Sequence, residues 1–419
     1  MTPELVVARH KVVERIPGLL SKAGTIAASG EGRFHDVDFV RDACITGEII
    51  LDKPQNGELS LILSSLRNSL EKSADSIGKK FDSATAEEPD KIPFEMHNEN
   101  SDQERLALMK SLGSIWIYES DGHLEGKNYF GLDANALWDC LFVDYVTISG
   151  DTEFRDRYLE VFEKLHAWIV RQGRLIMGGK KYPHWPSNQW WKDSENSLIG
   201  EDGNLPEYPI APLDVNCWAY LSDVKASHLY ESLGMLDKAE LHRGLAENRR
   251  LLINKHFWLP EYGLFAPAVD KKWKPVRIRT SDTVFALWCG VADREKTDLA
   301  VEELQKSDLL TPTGLRTRSS LSRQFNPLDY QNGNVWNQLL PIFAAACEKL
   351  GKDTVADELD TRVPKIAEME FVELHCEDVS GNVTPYVEKD PSTGELKPVA
   401  CRNQAWVIGG VLNRTAKAT

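Results

Sequence analysis

Apolar residues recur at helical spacing through most of this chain, and the stretches that carry them come in pairs joined by short, glycine-bearing turns. Leu59, Leu61, Ile62, Leu63, Leu66 and Leu70 form one stripe, and 133–148 is followed by 152–172 across Ser149-Gly150-Asp151. The unit returns at 212–233 with 236–256 across Leu233-Gly234, at 281–291 with 295–306, and at 334–350 with 353–369 across Leu350-Gly351-Lys352. With 4–22, 36–52, 103–118 and 401–413, the periodicity predicts about a dozen helices. Each has one apolar stripe to bury, so the pairs must stack as an open solenoid or close into a ring. No fixed repeat period runs through the sequence, which disfavours the solenoid. The expectation is an all-α fold in one unit spanning 1–419, with β-structure confined to loop hairpins such as one around 258–275.

The loops between the pairs are uneven in length, and the longest, 74–102, 174–211, 307–333 and 371–400, are rich in Trp, Tyr, Asp and Asn. Long loops on a rigid scaffold are where binding and chemistry concentrate. The formal net charge is −15, which repels phosphate backbones and anionic membrane surfaces, so nucleic acid and membrane are excluded as expected partners. No apolar run approaches the ~18 residues of a membrane helix, and Met-Thr-Pro-Glu-Leu at the start has no basic segment followed by an apolar one. The location expected on those grounds is the cytoplasm. The seven cysteines are scattered, odd in number and without a Cys-x-x-Cys, which argues for packed thiols over a disulfide framework or zinc ribbon. The ten histidines are dispersed, with no His-Glu-x-x-His, and no nucleotide-binding glycine pattern is present, so neither metal nor other cofactor is expected. Oligomeric state is not readable from the sequence.

Sugars present apolar ring faces and hydroxyl edges, so a site for them combines aromatic platforms with carboxylates and amides. The segment His184-Trp185-Pro186-Ser187-Asn188-Gln189-Trp190-Trp191-Lys192-Asp193-Ser194 has that make-up. Cleaving a glycosidic bond requires an acid to protonate the leaving oxygen and a second carboxylate to activate water or attack the anomeric carbon. The acid must hold its proton near neutral pH, as a carboxyl in an apolar or carboxylate-rich pocket does. Asp193, behind Trp190 and Trp191, suits that role provided Lys192 points elsewhere. The bland alternatives are tryptophans that fill the core beneath a loop and an Asp193 that caps a turn.

Four blocks along the chain carry a family resemblance. Phe39-Val40-Arg41-Asp42-Ala43 is the first. The second runs Asn188-Gln189-Trp190-Trp191-Lys192-Asp193-Ser194, Asp202-Gly203, Pro209-Ile210-Ala211 and Leu213-Asp214-Val215-Asn216-Cys217-Trp218. The third runs Gly314-Leu315-Arg316-Thr317, Phe325-Asn326-Pro327 and Tyr330-Gln331-Asn332-Gly333-Asn334-Val335-Trp336. The fourth runs Val372-Glu373-Leu374-His375-Cys376 and Cys401-Arg402-Asn403-Gln404-Ala405-Trp406. In this order they resemble the glucosidase domain of bacterial glycogen-debranching (amylo-α-1,6-glucosidase) proteins, within the wider six-hairpin group that includes glycoside hydrolase family 63, trehalase and glucoamylase. The resemblance covers about 33–413 and implies an (α/α)6 toroid, a small carbohydrate substrate and net inversion. It assigns Asp193 as general acid and Glu373 as general base. Arg41 and Asp42 hold the terminal glucosyl ring in this reading, and Trp190, Trp191, Tyr330, Asn332, Trp336, Gln404 and Trp406 complete the substrate site.

The chain departs from the family pattern at Gln331, where the family has His, at Asp214 and Asn216, which replace Glu and Gln, and before Glu373, which lacks a preceding Pro. No stretch matches the family's accessory sugar-binding domain, which points toward an oligosaccharide or small glucoside over glycogen. Glycogen debranching, and an inactive sugar-binding protein of the same fold, are the alternatives. Epimerase or lyase chemistry would need a proton shuttle such as His184. Glu377 and Glu388 share the loop with Glu373 and compete with it, Arg41 and Asp42 also fit a buried structural ion pair, and Asp133 fits a helix cap. Glu95 and Asp133 lie near loop mouths.

Overall fold

The chain's strongest helical stretches differ in kind. Ala134–Ser149 is apolar on nearly every face, whereas Thr152–Arg171 buries only Phe154, Tyr158, Phe162, Leu165, His166, Trp168 and Ile169, on one side. The first kind must be enclosed by other helices and the second must cover them. The computed structural model, which describes residues 2–31, 34–53, 59–179, 181, 186–389 and 394–416, arranges them so. Among the described residues the helices are α1 (Pro3–Arg15), α2 (Val40–Leu51), α3 (Leu59–Ala74), α4 (Gln103–Ser111), α5 (Ala134–Ser149), α6 (Thr152–Arg171) and α7 (Leu213–Ser232), followed by α8 (Leu236–His256), α9 (Thr283–Trp288), α10 (Arg294–Leu304), α11 (Leu339–Lys349), α12 (Asp353–Asp360), α13 (Val363–Glu368) and α14 (Ala405–Arg414).

Helix α2 packs on α5, α5 on α7, α7 on α9, α9 on α11, α11 on α14, and α14 returns to α2. That closes an inner ring of six. Outside it, α3 covers α2 and α5, α6 covers α5, α8 covers α7 and α12 covers α11, while the N-terminal α1 lies against α13 and α14. This is the (α/α)6 toroid. Tight turns join inner helices to outer ones: at one of these Gly150 adopts φ +68°, ends α5, and lets the Asp151 side chain accept from the Phe154 N–H at 2.9 Å to start α6. No helix among the described residues is long and apolar enough to cross a membrane. Six of the seven cysteines are buried.

Buried ions tie the ring together. Lys225 of α7 binds Glu48 of α2 at 2.5 Å and Asp144 of α5 at 2.8 Å. His166 of α6 lies between Asp139 of α5 and Asp223 of α7, 3.0 Å from each, and Arg249 of α8 reaches Asp223 at 3.1 Å. Two acids and two potential cations balance in that network, and the two carboxylates raise His166 to about 9 against the penalty of burial.

Several expected boundaries move. The periodic stretch 103–118 is helical only to Ser111, because Gly113 turns the chain at φ +98° and Ile117–Ser120 leaves as a strand. Residues 353–369 break into α12 and α13, and 36–52 and 334–350 each begin as a strand before the helix starts. The hairpin expected near 258–275 is present as Trp258–Leu259 paired with Leu264–Phe265. Two larger sheets were not expected. One has the order β1 (Asp38–Phe39), β2 (Glu95–His97), β4 (His123–Asn128), β3 (Ile117–Ser120), and the other joins Leu315–Arg316, Val335–Trp336, Leu374–Glu377 and Val383–Pro385, with every pairing antiparallel. β1 runs directly into α2, and Val335–Trp336 leads into α11, so both sheets sit at the starts of inner helices.

Candidate active site

Inner-helix starts supply polar side chains to one end of the ring. Asp42 is in the first turn of α2 and Asp214 in that of α7, Asp133 and Asp282 precede α5 and α9, and Gln338 and Gln404 precede α11 and α14. Helix N-termini carry free N–H groups and the positive end of the dipole, so acids and amides gather there. Gln404 uses both ends of its amide: the oxygen accepts from the Val407 N–H at 3.0 Å, and Nε2 donates to Asp42 at 3.2 Å. Asp133 is not the helix cap that its position suggests. Its carboxylate takes two hydrogen bonds from the buried Arg41 guanidinium, one of them at 3.1 Å. Arg41 thus forms a structural ion pair, but with Asp133 rather than with the neighbouring Asp42.

The loop that carries Asp193 is anchored on both sides of that residue. Trp191 Nε1 donates to Asp282 at 3.1 Å, and the fully buried Lys192 donates to Asp282 at 2.5 Å and to the Thr317 carbonyl at 3.2 Å. Lys192 therefore points into the protein, and Asp193 faces the opposite way, into the cavity. Gln331 spans the same loop: its oxygen accepts from the Ser194 N–H at 2.9 Å, and its Nε2 donates to the Trp191 carbonyl at 2.9 Å. A side-chain amide donates and accepts at once, so Gln331 clamps the backbone before and after Asp193.

Glu373 sits on an equally fixed segment. Its N–H donates to the Cys401 carbonyl at 2.8 Å, its carbonyl accepts from the Asn337 N–H at 2.9 Å, and Asn337 Nδ2 holds the Val372 carbonyl at 2.7 Å. Just upstream, Glu370 and Phe371 adopt φ +56° and +51°. Two successive non-glycine residues in the left-handed region cost energy and persist only where their surroundings enforce them.

Asp193 and Glu373 line one cavity of about 120 Å³, together with Arg41, Asp42, Gln338 and Gln404. Aromatic rings wall it: Trp191 meets Trp336 edge-on at 5.5 Å, Tyr330 meets Trp336 at 5.2 Å, and Phe39 meets Phe94 at 5.7 Å. Trp406 also lines it. The competing carboxylates do not. Glu377 is buried against His375 and Thr313, and Glu388 is exposed on a hairpin beside the Tyr386 hydroxyl.

Asp193 is exposed at the cavity mouth, with protein packed around the rest of it. Burial therefore raises it, opposed by the charge of Arg41. Glu373 is pushed up to about 8 by burial first, then by the charges of Asp42 and Asp193. Asp42 rises to about 7 by burial, against the pull of Arg41. Three carboxyls that repel one another in a small cavity cannot all ionise near neutral pH, so the empty cavity retains protons.

A second cavity of about 400 Å³ joins the first and shares Arg41, Phe94 and Asp193 with it. Glu373 lines only the inner one. Trp190, expected at the sugar, is 1% exposed and belongs to the outer cavity. Asn332 lines neither. It is a buried turn residue whose Nδ2 donates to Asp329 at 3.2 Å, so the structure does not bring it to the walls of either cavity. His184 and Trp185 lie outside the described residues. The sequence reading missed Gln338 and Phe94 as cavity residues. Gln338 follows the Val335-Trp336 motif by two positions and could have been included on that signal, and Phe94 could have been included as the neighbour of Glu95, which was placed near a loop mouth. Among the described residues, two groups offer three ligand atoms within 4.8 Å of one another: His166, Asp223 and His242, and Glu99, His123 and Glu125. Neither group lines the inner cavity, and both ring nitrogens of His166 are already engaged by carboxylates.

A closed ring of helix hairpins with an acid-lined pit at one end is the architecture of a six-hairpin glycosidase. Residues 194–384, a little under half of the chain, match the mannosylglycerate hydrolase MGH1-like glycoside hydrolase domain, a stretch that begins just after Asp193 and contains Glu373. The fold matches a GH63 mannosylglycerate hydrolase from Thermus thermophilus solved with Tris (TM-score 0.64, 15% identity, 97% of this chain and 99% of that one). It also matches a glycosidase solved with glucose (TM-score 0.58, 12% identity, 98% and 96%). In sequence, the chain is 28% identical over 179 residues to a periplasmic trehalase from Citrobacter koseri, covering 42% of this chain and 30% of that protein, so it spans well under half the length of that relative. The fold is therefore that of the six-hairpin glycosidases, and part of the chain is similar in sequence to a glycoside hydrolase domain.

Proposed function

We propose that the protein is an inverting, exo-acting α-glucosidase that removes a terminal α-linked glucosyl residue from an oligosaccharide or small glucoside. Asp193 protonates the glycosidic oxygen. Glu373 deprotonates a water that attacks the opposite face of the ring, and the product has the β configuration. One observation carries the division of roles: Asp193 stands where the two cavities join, and Glu373 reaches only the inner one. The scissile oxygen lies between the glycosyl unit and the leaving group, so the acid must touch both chambers and the base only one. The cavity closed by Asp42, Arg41 and Gln404 has room for one terminal unit, which supports exo action. Substrate also has to place the proton: Glu373 holds one tightly in the free enzyme, and the bound complex needs it on Asp193.

Debranching of glycogen at α-1,6 linkages is the alternative drawn from motif order, and a sugar-binding protein without turnover is the third. The MGH1-like match favours adding glycosylglycerates to the substrates considered, and the trehalase relative adds non-reducing disaccharides. The test is a panel of α-linked glucosides, α-mannosides and glycogen, with the product anomer followed by proton NMR. Asp193→Asn and Glu373→Gln are each expected to lower kcat by about 10³-fold or more with the fold retained. Full activity in either variant, or an α product, refutes the mechanism. Measurable binding without turnover across the panel refutes catalysis altogether.

A further inference from the structure

The outer cavity is positioned to receive the leaving group, because the general acid lies on its inner wall. Its described lining is aromatic on several sides, with Trp116, Phe130 and Trp190, and it carries a second carboxylate, Glu95, besides Asp193. Glu95 is held rigidly in β2: one oxygen is 2.7 Å from His97 Nε2, and the other accepts from Asn128 Nδ2 at 2.8 Å. It is 8% exposed, and that remainder faces the cavity. Each oxygen retains a lone pair after its one bond, so Glu95 can accept a further hydrogen bond from whatever enters. The only cation among the described residues lining this cavity is Arg41, and its guanidinium is committed to Asp133.

From this we infer that the outer cavity is a leaving-group subsite for a neutral polyhydroxylated aglycone, a sugar or polyol, and that Glu95 is its specificity-determining residue. A hydroxyl donor gains a charge-assisted bond to a fixed carboxylate without that carboxylate having to reorganise. A leaving group that carries its own carboxylate meets Glu95 with like charge and finds no uncommitted cation on the described walls. Discrimination then works by repulsion as well as attraction. In this respect the cavity differs from what an acidic aglycone such as a glycerate requires. The inference rests on the assignment of Asp193 as the acid at the junction of the two cavities.

The test compares three substrates with the same α-glucosyl unit: α-glucosyl fluoride, α-glucosylglycerol and α-glucosylglycerate. The last two differ only in CH2OH against a carboxylate, and the fluoride has no aglycone to occupy the subsite. Wild-type protein is expected to favour the glycerol over the glycerate by at least about tenfold in kcat/KM. Glu95→Gln keeps the shape and removes the charge. It is expected to lower the glycerol-to-fluoride ratio of kcat/KM by about tenfold or more and to narrow the glycerol-to-glycerate gap by a similar factor, a change that a merely structural role would not produce. An unchanged gap in Glu95→Gln overturns the inference, as does a wild-type preference for the glycerate. If Glu95→Gln fails to fold, seen as loss of fluoride hydrolysis as well, the wild-type preference alone decides. Failure of the wild-type protein to hydrolyse the fluoride refutes the glucosidase reading, and this inference with it, by a result distinct from the other outcomes.

Discussion

Glu373→Gln removes the proposed base and is expected to make the protein more stable at alkaline pH. In the folded state burial and the charges of Asp42 and Asp193 raise Glu373 from an ordinary 4.5 to about 8. Below pH 4.5 the carboxyl is protonated whether the chain is folded or not, so it contributes no difference. Between 4.5 and about 8 the unfolded chain ionises it freely and the folded chain does not, so stability falls as pH rises and levels off above 8. The displacement corresponds to roughly 5 kcal/mol, an upper bound because the side chain is partly open to the cavity and its water. Glutamine has nearly the same shape and no charge, so it escapes the penalty. Taking half to all of the bound, and about 2 °C per kcal/mol for a chain of this size, Glu373→Gln should melt roughly 5–10 °C above wild type at about pH 9. The advantage should shrink to nothing as pH approaches 4.5. Scanning calorimetry of both proteins from about pH 4.5 to about 9.5 reads this directly. A Gln variant that is no more stable at about pH 9, or whose advantage is the same there as at about pH 5, refutes the claim that the base sits in a charge-repelling pocket.

Further expectations concern the same charges and the network behind them. The kcat/KM of wild-type protein should fall about tenfold per pH unit above about 8, because there the carboxyl pair has lost the proton the acid needs, whichever oxygen holds it in the free enzyme; a rate flat from about pH 7 to about 10 refutes the pairing. His166, raised to about 9 from an ordinary 6.5, contributes stability that is complete below 6.5 and lost as pH rises through 9, so His166→Gln should flatten the decline in melting temperature between about pH 7 and about 10. Lys192→Met strands Asp282 as a buried, unpaired charge and should cost about 3–5 kcal/mol in urea unfolding, most of it recovered when Asp282→Asn is added.

The fold was legible because its logic is local. Glycine-bearing turns at Gly150, Gly234 and Gly351, each with φ near +70°, separate helices whose stripes announce the pairing. Ring closure is not local: α1 meets α14 across almost the whole chain, and no periodicity reports that. The stretch 103–118 misled because Leu108, Leu112 and Ile115 keep helical spacing yet stay exposed, while Trp116 and Ile117 turn inward through a strand. Spacing records what could be buried on one face and does not say whether a partner covers it.

The site divides along the same line. That Asp193 and Glu373 share one cavity was readable from motif order, and the aromatic walls from their company. What ordered them was not readable, because the bonds that do so span the chain: Arg41 to Asp133 joins residues 92 apart, and Gln331 to the Trp191 carbonyl joins residues 140 apart. His166 and His242 looked dispersed, yet their rings lie 4.3 Å apart.

Gln331 and Asp193 together show why such a site is built on a loop clamped from behind. The proposed acid has to keep its proton, which depends on the surroundings that raise it, and a loop free to move would change those surroundings. Lys192 and Trp191 secure one side to Asp282, and the Gln331 amide secures the backbone on both sides, so the residue is held in one place at the cavity mouth. The six inner helices could have neutralised the cluster with their positive ends, but burial outweighs them: Asp42, Asp193, Asp214 and Glu373 all lie above the ordinary carboxylate range. The ring thus holds in place, by packing, an arrangement that its own charges oppose, and that opposition is what the proposed mechanism needs to keep a proton in the cavity near neutral pH.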